Sequence, residues 1–208
     1  MLDLTLIALT LPLWLPLMAC LALLIKCLSP GPIFFRQQRI GLGGQRFVCF
    51  KFRSMKLGAM TRVHEDYLKR LIETNCPMTK LDNSGDPRLI PWGKFLRSAG
   101  LDELPQIFNI IRGDMSLVGP RPCTPNEFEN APDLLTPRVS VPPGVTGYWQ
   151  VNGKNKTTFL KMIEMDEFYA RHLSLGLDLQ ILFRTVPSIL RQIAESRSRC
   201  TPQNQVVS

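Results

Sequence analysis

The chain has 208 residues, enough for one ordinary domain but too few for two large ones. It carries 25 Lys and Arg against 17 Asp and Glu, a formal net charge of +8, which favours anionic partners such as nucleic acid, an anionic membrane leaflet or phosphorylated substrates. Hydrophobic residues make up 45% of the chain, and this share argues against an intrinsically disordered protein.

The first predicted element is an apolar segment from Leu2 to Ile25, in which Asp3 is the sole formal charge. It is longer than the apolar region of a signal peptide, so we expect it to be retained. Its length suffices for a membrane-spanning helix, at about 1.5 Å rise per residue. Pro12 and Pro16 lie in the middle of the segment, and because each removes a backbone donor they predict a sharp bend.

Three arrangements of this segment are compatible with the pattern. The chain offers no second apolar span to satisfy the carbonyls that the prolines leave unpaired, which favours a re-entrant, hairpin-like helix over a kinked spanning helix. A buried core helix of a soluble protein is the third alternative. The predicted organisation is a re-entrant membrane helix over 1–28, a globular domain over 29–195 and a polar tail over 196–208.

Basic residues follow the apolar segment closely, and by the positive-inside rule they predict a cytoplasmic globular domain. They are Lys26, Arg36, Arg39, Arg46, Lys51, Arg53 and Lys56. The domain begins with a predicted β-hairpin, because residues 47–53 alternate apolar and basic side chains and residues 41–44 supply a glycine-rich turn. The polar stretch that follows predicts a helix over 65–74 and a loop over 82–87.

Amphipathic spacing predicts further helices after this loop. A short helix contains Trp92 and ends near Gly100, and the next begins at about Asp102 and is capped by Gly113. Two more are predicted over 159–171 and 181–193, and the last carries Arg184 and Arg191 among apolar residues. That helix suits either a bilayer surface or packing on the protein's own core. The fold class is therefore mainly α with a small β-hairpin (α+β).

Asp102 and Glu103 are adjacent carboxylates in the first turn of a predicted helix, where backbone amides and the helix dipole favour the ionised form. Helix capping is the ordinary role of such a pair, but an ionised carboxylate also serves as a nucleophile or a Mg²⁺ ligand. The pair lies between Arg97 and a proline-rich loop over 113–122 that contains Arg121. A guanidinium suits phosphate oxygens, and a surface ion pair is the alternative role for Arg121.

The six cysteines and two histidines indicate no other catalytic centre. The cysteines show no CxxC or similar ligand spacing, so a zinc site is not expected. The chain has two histidines, His64 and His172, which are too few and too far apart in sequence to predict a histidine-based metal site or a nucleophile–histidine relay. The irregular cysteine spacing fits a reducing cytosol, and the thiols are interpreted as packing residues.

Five short motifs, in this order, closely resemble the bacterial sugar transferases, which are the monotopic phosphoglycosyl transferases. The resemblance extends from about Leu2 to Arg191, and the ten-residue loop that ends at Pro122 is its most specific part. The motifs are Arg39-Ile40-Gly41, Lys51-Phe52-Arg53-Ser54-Met55, Leu101-Asp102-Glu103-Leu104-Pro105-Gln106, Gly113-Asp114-Met115-Ser116-Leu117-Val118-Gly119-Pro120-Arg121-Pro122 and Pro143-Gly144-Val145-Thr146-Gly147.

The resemblance implies transfer of a sugar 1-phosphate from a nucleotide diphosphate sugar, usually a UDP-sugar, to a polyprenyl phosphate such as undecaprenyl phosphate, with release of UMP. This reaction is the first membrane step of bacterial glycoconjugate or exopolysaccharide synthesis. The implied location is the cytoplasmic face of the bacterial inner membrane. The implied anchor is a re-entrant helix broken at Pro16, accompanied by amphipathic interfacial helices.

The resemblance also implies roles for single residues. Asp102 would be the nucleophile that forms a covalent phosphosugar intermediate, and Glu103 would assist by binding Mg²⁺ or managing a proton. Both carboxylates are therefore expected metal ligands. Many members carry Lys or Arg just before the Pro-Gly-x-Thr-Gly motif, where this chain has Pro142. The expected phosphate contacts are Arg97, Arg121, Lys51 and Arg53, with Arg138 in place of the missing basic residue.

A non-catalytic basic membrane-surface scaffold within a glycan-assembly complex is the alternative function. Nucleic-acid binding is not expected, because the aromatic residues do not interleave with the basic residues as a base-stacking platform requires. The sequence leaves the donor sugar and the oligomeric state open, a homo-oligomer being one of the arrangements it allows.

Overall fold

The computed structural model describes residues 2–56, 58, 88–153 and 157–198. The helix predicted over 65–74 and the loop predicted over 82–87 lie outside these residues. Within them the protein is mainly helical with a small β-hairpin, which confirms the predicted fold class.

The apolar segment forms one helix, α1 (Leu2–Leu28), which is long and apolar enough to cross a membrane. It is continuous through Pro12 and Pro16. The indole Nε1 of Trp14 donates a hydrogen bond to the carbonyl of Ile7, at 2.9 Å. This bond spans the turn of the helix that contains Pro12.

One stripe of α1 packs against the globular domain and the rest of the helix surface is exposed. The stripe joins Phe52, Leu96, Ile110 and Met115 in one hydrophobic core. Its members are Ile7, Trp14, Met18, Leu21 and Ile25. The large hydrophobic side chains exposed on the remaining surface are leucines, among them Leu4, Leu9, Leu13 and Leu23. A face of this kind is typical of a helix in contact with lipid.

The predicted hairpin consists of antiparallel strands β1 (Phe34–Ile40) and β2 (Arg46–Phe52), in a register that pairs Phe34 with Phe52. The chain reverses at a 3₁₀ turn over Leu42–Gly44, where Gly43 and Gly44 have φ of 63° and 77°. These are values that glycine adopts without strain, so the predicted glycine turn is confirmed.

Two short helices follow, α2 (Gly93–Ser98) and α3 (Gln106–Ile111). Gly100 and Gly113 have φ of 68° and 82° at the ends predicted for these helices. The region between them differs from the prediction. A 3₁₀ turn occupies Leu101–Glu103, and α3 begins only after Pro105, whose missing donor is harmless at that position.

Strands β3 (Ser116–Val118) and β4 (Gly144–Thr146) form a second, parallel pair. The segment between them contains α4 (Pro125–Asn130), α5 (Pro132–Leu135) and a 3₁₀ turn over Pro137–Val139. Sequence analysis missed these elements, although Thr124 and Glu127 form a capping box whose Thr-x-x-Glu spacing is a readable helix signal.

The described part of the chain ends in three helices, α6 (Tyr148–Asn152), α7 (Phe159–Arg171) and α8 (Leu175–Ser198). The prediction for α7 is confirmed residue for residue. The helix predicted over 181–193 is longer at both ends and extends past residue 196, where the polar tail was expected to begin. Leu175, Leu179, Phe183, Val186 and Leu190 are exposed on α8. Their spacing of three or four residues places them on one face of the helix.

Candidate active site

Asp102 and Glu103 lie in the 3₁₀ turn between α2 and α3, where the left-handed backbone of Gly100 redirects the chain. Helix α3 is fixed to strand β2 by the buried side chain of Asn109, which accepts a hydrogen bond from the Phe50 amide at 3.0 Å and donates to the Val48 carbonyl at 2.7 Å. The two carboxylates are thus held next to β2 by a residue that sequence analysis did not single out.

Asp102 is only 8% exposed. Burial raises its pKa, the neighbouring charge of Glu103 raises it further, and the positive charges of Lys51 and Arg97 oppose the rise. Burial thus opposes the stabilisation of the ionised form that was expected at the start of a helix. The helix-start effect is outweighed because burial removes water from the carboxylate.

Glu103 forms an ion pair with Lys51 of β2, whose Nζ lies 2.8 Å from Glu103 Oε1. Both side chains are largely buried, at 16% and 24% exposure. The pair connects two of the predicted motifs, which are about fifty residues apart in sequence.

The loop that carries Arg121 is held against strand β4 by backbone hydrogen bonds. The Gly119 amide donates to the Thr146 carbonyl at 2.9 Å, and the Gly144 amide donates to the Pro120 carbonyl at 2.8 Å. A Cβ at Gly144 would lie 2.0 Å from the Gly119 nitrogen, so only glycine fits there. These contacts hold the backbone on the N-terminal side of Arg121 against the second motif.

A polar cleft brings together Lys51, Glu103 and Arg121, three of the predicted site residues. The remaining lining residues are Arg39, Cys49, Gln106, Pro122, Gly144, Val145 and Gln150. Burial lowers the pKa of Arg39, and repulsion from Arg121 lowers it further while Glu127 opposes the change. The cleft therefore holds several positive charges close together, an arrangement that suits a diphosphate.

Arg97 acts on Asp102 through its positive charge, as expected of a residue near the site, but it does not line this cleft. Sequence analysis missed Gln106 and Gln150 as lining residues. The available signal was their position in the sequence, because Gln106 is the last residue of the Asp-Glu motif and Gln150 comes three residues after the Pro-Gly-x-Thr-Gly motif.

Two predicted phosphate contacts lie elsewhere. Arg53 donates to the backbone carbonyls of Pro30 and Ser29, at 2.6 and 2.7 Å, and so holds the end of α1. Arg138 is buried with Asp166, and its Nε lies 2.9 Å from Asp166 Oδ2. Burial raises the pKa of Asp166 to about 6, although the charge of Arg138 opposes the rise. The structure does not support a phosphate contact for either arginine, because each is only 4% exposed and turned to an internal partner.

Among the described residues, no group of three or more His, Cys, Asp or Glu side chains is placed to hold a metal ion. Asp102 and Glu103 supply two carboxylates, which are too few to fill the coordination sphere of a metal ion by themselves. Mg²⁺ is usually held by one or two carboxylates together with substrate phosphates and water, so this donor set fits magnesium bound with a diphosphate.

Comparison with known proteins agrees with this chemistry. The model of the bacterial sugar transferase family matches residues 1–192. The chain is 43% identical over 188 residues to the UDP-glucose:undecaprenyl-phosphate glucose-1-phosphate transferase of Xanthomonas campestris pv. campestris, covering 86% of this chain and 36% of that protein.

Two further relatives have similar identities. The undecaprenyl-phosphate galactose phosphotransferase of Salmonella typhimurium is 38% identical over 168 residues, which cover 78% of this chain and 34% of that protein. The exopolysaccharide production protein ExoY of Rhizobium meliloti is 38% identical over 180 residues, which cover 84% of this chain and 77% of that protein. The chain thus spans about a third of the length of the glucose and galactose transferases and most of the length of ExoY.

Proposed function

The chain belongs to the bacterial sugar transferase family, and from that premise we propose that it transfers a sugar 1-phosphate from a UDP-sugar to undecaprenyl phosphate and releases UMP. The product, an undecaprenyl diphosphate sugar, would begin the synthesis of an exopolysaccharide or another glycoconjugate. The observation that carries this proposal is the position of the Asp102–Glu103 pair beside a cleft lined by Lys51, Arg121 and Arg39.

In the proposed first step, a carboxylate oxygen of Asp102 attacks the β-phosphorus of the donor. The new oxygen–phosphorus bond forms as the bond to UMP breaks, which leaves the sugar phosphate on Asp102. The phosphate oxygen of undecaprenyl phosphate then attacks the same phosphorus and releases the Asp102 carboxylate. Lys51 and Arg97 favour this chemistry because their charges stabilise the ionised form of Asp102.

Arg121 would bind diphosphate oxygens, since a guanidinium offers paired donors to them. Arg39 is 5% exposed and donates to the Pro122 carbonyl at 2.9 Å, so it would support the loop that carries Arg121. Magnesium held by Asp102 and Glu103 together with the diphosphate would supply neutralisation of negative charge. The ion pair with Glu103 also holds the Lys51 ammonium group close to Asp102.

We further propose that the protein docks on the cytoplasmic face of the inner membrane with α1 entering and leaving on the same side. Supporting this, both ends of α1 contact the globular domain. Ser116 Oγ donates to the Asp3 carboxylate at 2.7 Å near the beginning of the helix, and Arg53 holds the carbonyls of Ser29 and Pro30 just after its end. The exposed leucines of α1 and the exposed apolar face of α8 would contact lipid.

Intact-protein mass spectrometry tests the covalent step. The full chain in detergent is mixed with Mg²⁺ and each member of a panel of UDP-sugars, without lipid acceptor. The expected result is a mass increase of one sugar phosphate with release of UMP, and loss of both in Asp102→Asn. Asp133→Asn, an exposed acidic residue of α5, is the matched control and should behave as wild type.

Two results would contradict the proposal. If the Asp102→Asn protein still forms the adduct, Asp102 is not the nucleophile. A wild-type protein that binds lipid but forms no adduct and releases no UMP with any donor would favour the non-catalytic scaffold.

A further inference from the structure

Gln150 of α6 is buried at the cleft, and its side-chain oxygen lacks a donor. The residue is 8% exposed, and within the described part of the chain no group donates a hydrogen bond to its Oε1. Its Nε2 donates to the Val145 carbonyl at 3.2 Å. This bond fixes the orientation of the amide, because the reversed orientation would set two carbonyl oxygens against each other.

The protein confines this side chain rather than leaving it free to find a partner. A Cβ at Gly147 would lie 3.0 Å from Oε1, so the Gly147 backbone packs closely against the amide. The Gln150 backbone carbonyl accepts a bond from Ser188 Oγ of α8 at 3.4 Å, which holds α6 in place. A buried acceptor without a donor disfavours the folded state, and such a group calls for an explanation.

The surroundings of Gln150 indicate which kind of group it would accept from. Lys51 and Arg121 line the same cleft and suit phosphate oxygens, whereas an uncharged amide oxygen suits an uncharged donor such as a hydroxyl group.

We propose that Gln150 accepts a hydrogen bond from a hydroxyl group of the sugar being transferred and so contributes to donor specificity. This inference rests on the proposed function. The sugar is the intended occupant because Glu103, which lines the same cleft, adjoins Asp102, and the sugar is bonded to the phosphate that Asp102 would attack. The nucleobase lies at the far end of the diphosphate.

The test compares wild type with Gln150→Met, which keeps the side-chain volume and removes the amide. The donor is the UDP-sugar, from a panel that includes UDP-glucose and UDP-galactose, that releases most UMP with the wild-type chain. We expect about a tenfold loss of kcat/KM for that donor, an unchanged inhibition constant for UDP and only a small change in the thermal unfolding midpoint, because the bond to the Val145 carbonyl and the unpaired oxygen are lost together. Asn152→Ala, an exposed residue of the same helix, is the matched control.

Deoxy analogues of the donor identify the hydroxyl group. Wild type should discriminate strongly against the analogue that lacks the bonded hydroxyl, and Gln150→Met should lose that discrimination. Unchanged kcat/KM in Gln150→Met would overturn the proposal. An equal loss for UDP and donor together with a lowered unfolding midpoint would also overturn it, because that pattern indicates a structural role. If wild type releases UMP from no donor, the proposed function itself fails, and this inference fails with it.

Discussion

The Nζ of Lys51 lies 2.8 Å from Oε1 of Glu103, and this ion pair places a positive charge from strand β2 beside the Asp102–Glu103 pair. Both partners act on the buried Asp102, and they act in opposite directions. The charge of Lys51 lowers the Asp102 pKa, and the charge of Glu103 raises it.

The first prediction concerns the pH dependence of activity. The proposed nucleophile is the ionised carboxylate, so kcat/KM falls as pH drops through the Asp102 pKa. Lys51→Gln should raise that pKa and move the acid limb of the profile to higher pH, and Glu103→Gln should move it to lower pH. The measurement is kcat/KM for UMP release as a function of pH.

Lys161→Gln is the control for this comparison, because Lys161 is an exposed lysine of α7 that pairs with Glu164. Its acid limb should coincide with that of wild type. A limb that stays fixed in both Lys51→Gln and Glu103→Gln would mean that another group limits the reaction at low pH.

The second prediction separates two arginines that looked alike in sequence. Arg121→Gln should raise the donor KM by roughly tenfold or more, since it removes a charged donor from the cleft. Arg53→Gln should leave the donor KM unchanged and lower stability by about 1–3 kcal/mol, because the carbonyls of Ser29 and Pro30 lose their bonds. Steady-state kinetics and thermal unfolding in detergent measure the two effects. Equal KM increases in both variants would show that Arg53 also contacts the donor.

The third prediction concerns the buried pair of Arg138 and Asp166. Changing either residue alone, as Arg138→Met or Asp166→Leu, should cost about 3–5 kcal/mol because one buried charge loses its partner. The double variant should cost clearly less than the sum of the single changes. Urea unfolding supplies the three free energies, and strict additivity would contradict the pairing.

The double variant also tests the phosphate contact that the sequence predicted for Arg138. Because the arginine is buried away from the cleft, its donor KM should equal that of wild type. A raised donor KM in a variant that folds would restore Arg138 as a substrate contact.

Features that depend on neighbours in sequence were the predictable part of this protein. The hairpin turn at Gly43 and Gly44, the cap at Gly113 and the whole of α7 follow from local backbone preferences and apolar spacing. Lys51, Glu103 and Arg121 were singled out from the family motifs, and the three residues line one cleft.

Features that depend on distant partners were not predictable in this way. Arg53 and Arg138 sit in sequence settings that suit a phosphate contact, but tertiary packing gives them other partners, the end of α1 and Asp166. Strand pairing between β3 and β4 brings Gln150 to the cleft, and neither three-residue strand carries a periodic signal long enough to recognise. The ionisation of Asp102 likewise depends on burial, which local sequence does not specify.

The last prediction concerns the topology of α1. Asp3 is bonded to Ser116, and the residues just after Leu28 are bonded to Arg53, so both ends of the helix contact one globular domain. A domain that stays on one side of a bilayer cannot hold both ends of a spanning helix. Single cysteines introduced by Leu4→Cys and Asp133→Cys, in a chain whose six native cysteines are replaced by alanine, should react with an impermeant maleimide from the same side.

Leu13→Cys is the internal reference, because this residue is 74% exposed on the middle of α1, where lipid should protect it. The labelling compares spheroplasts with inverted membrane vesicles. We expect Leu4→Cys and Asp133→Cys to react only in the inverted vesicles and Leu13→Cys to stay unreactive in both. Reaction of Leu4→Cys in spheroplasts alone would establish a spanning helix, and the contacts of Asp3 and Arg53 could then not both exist in the membrane-bound protein.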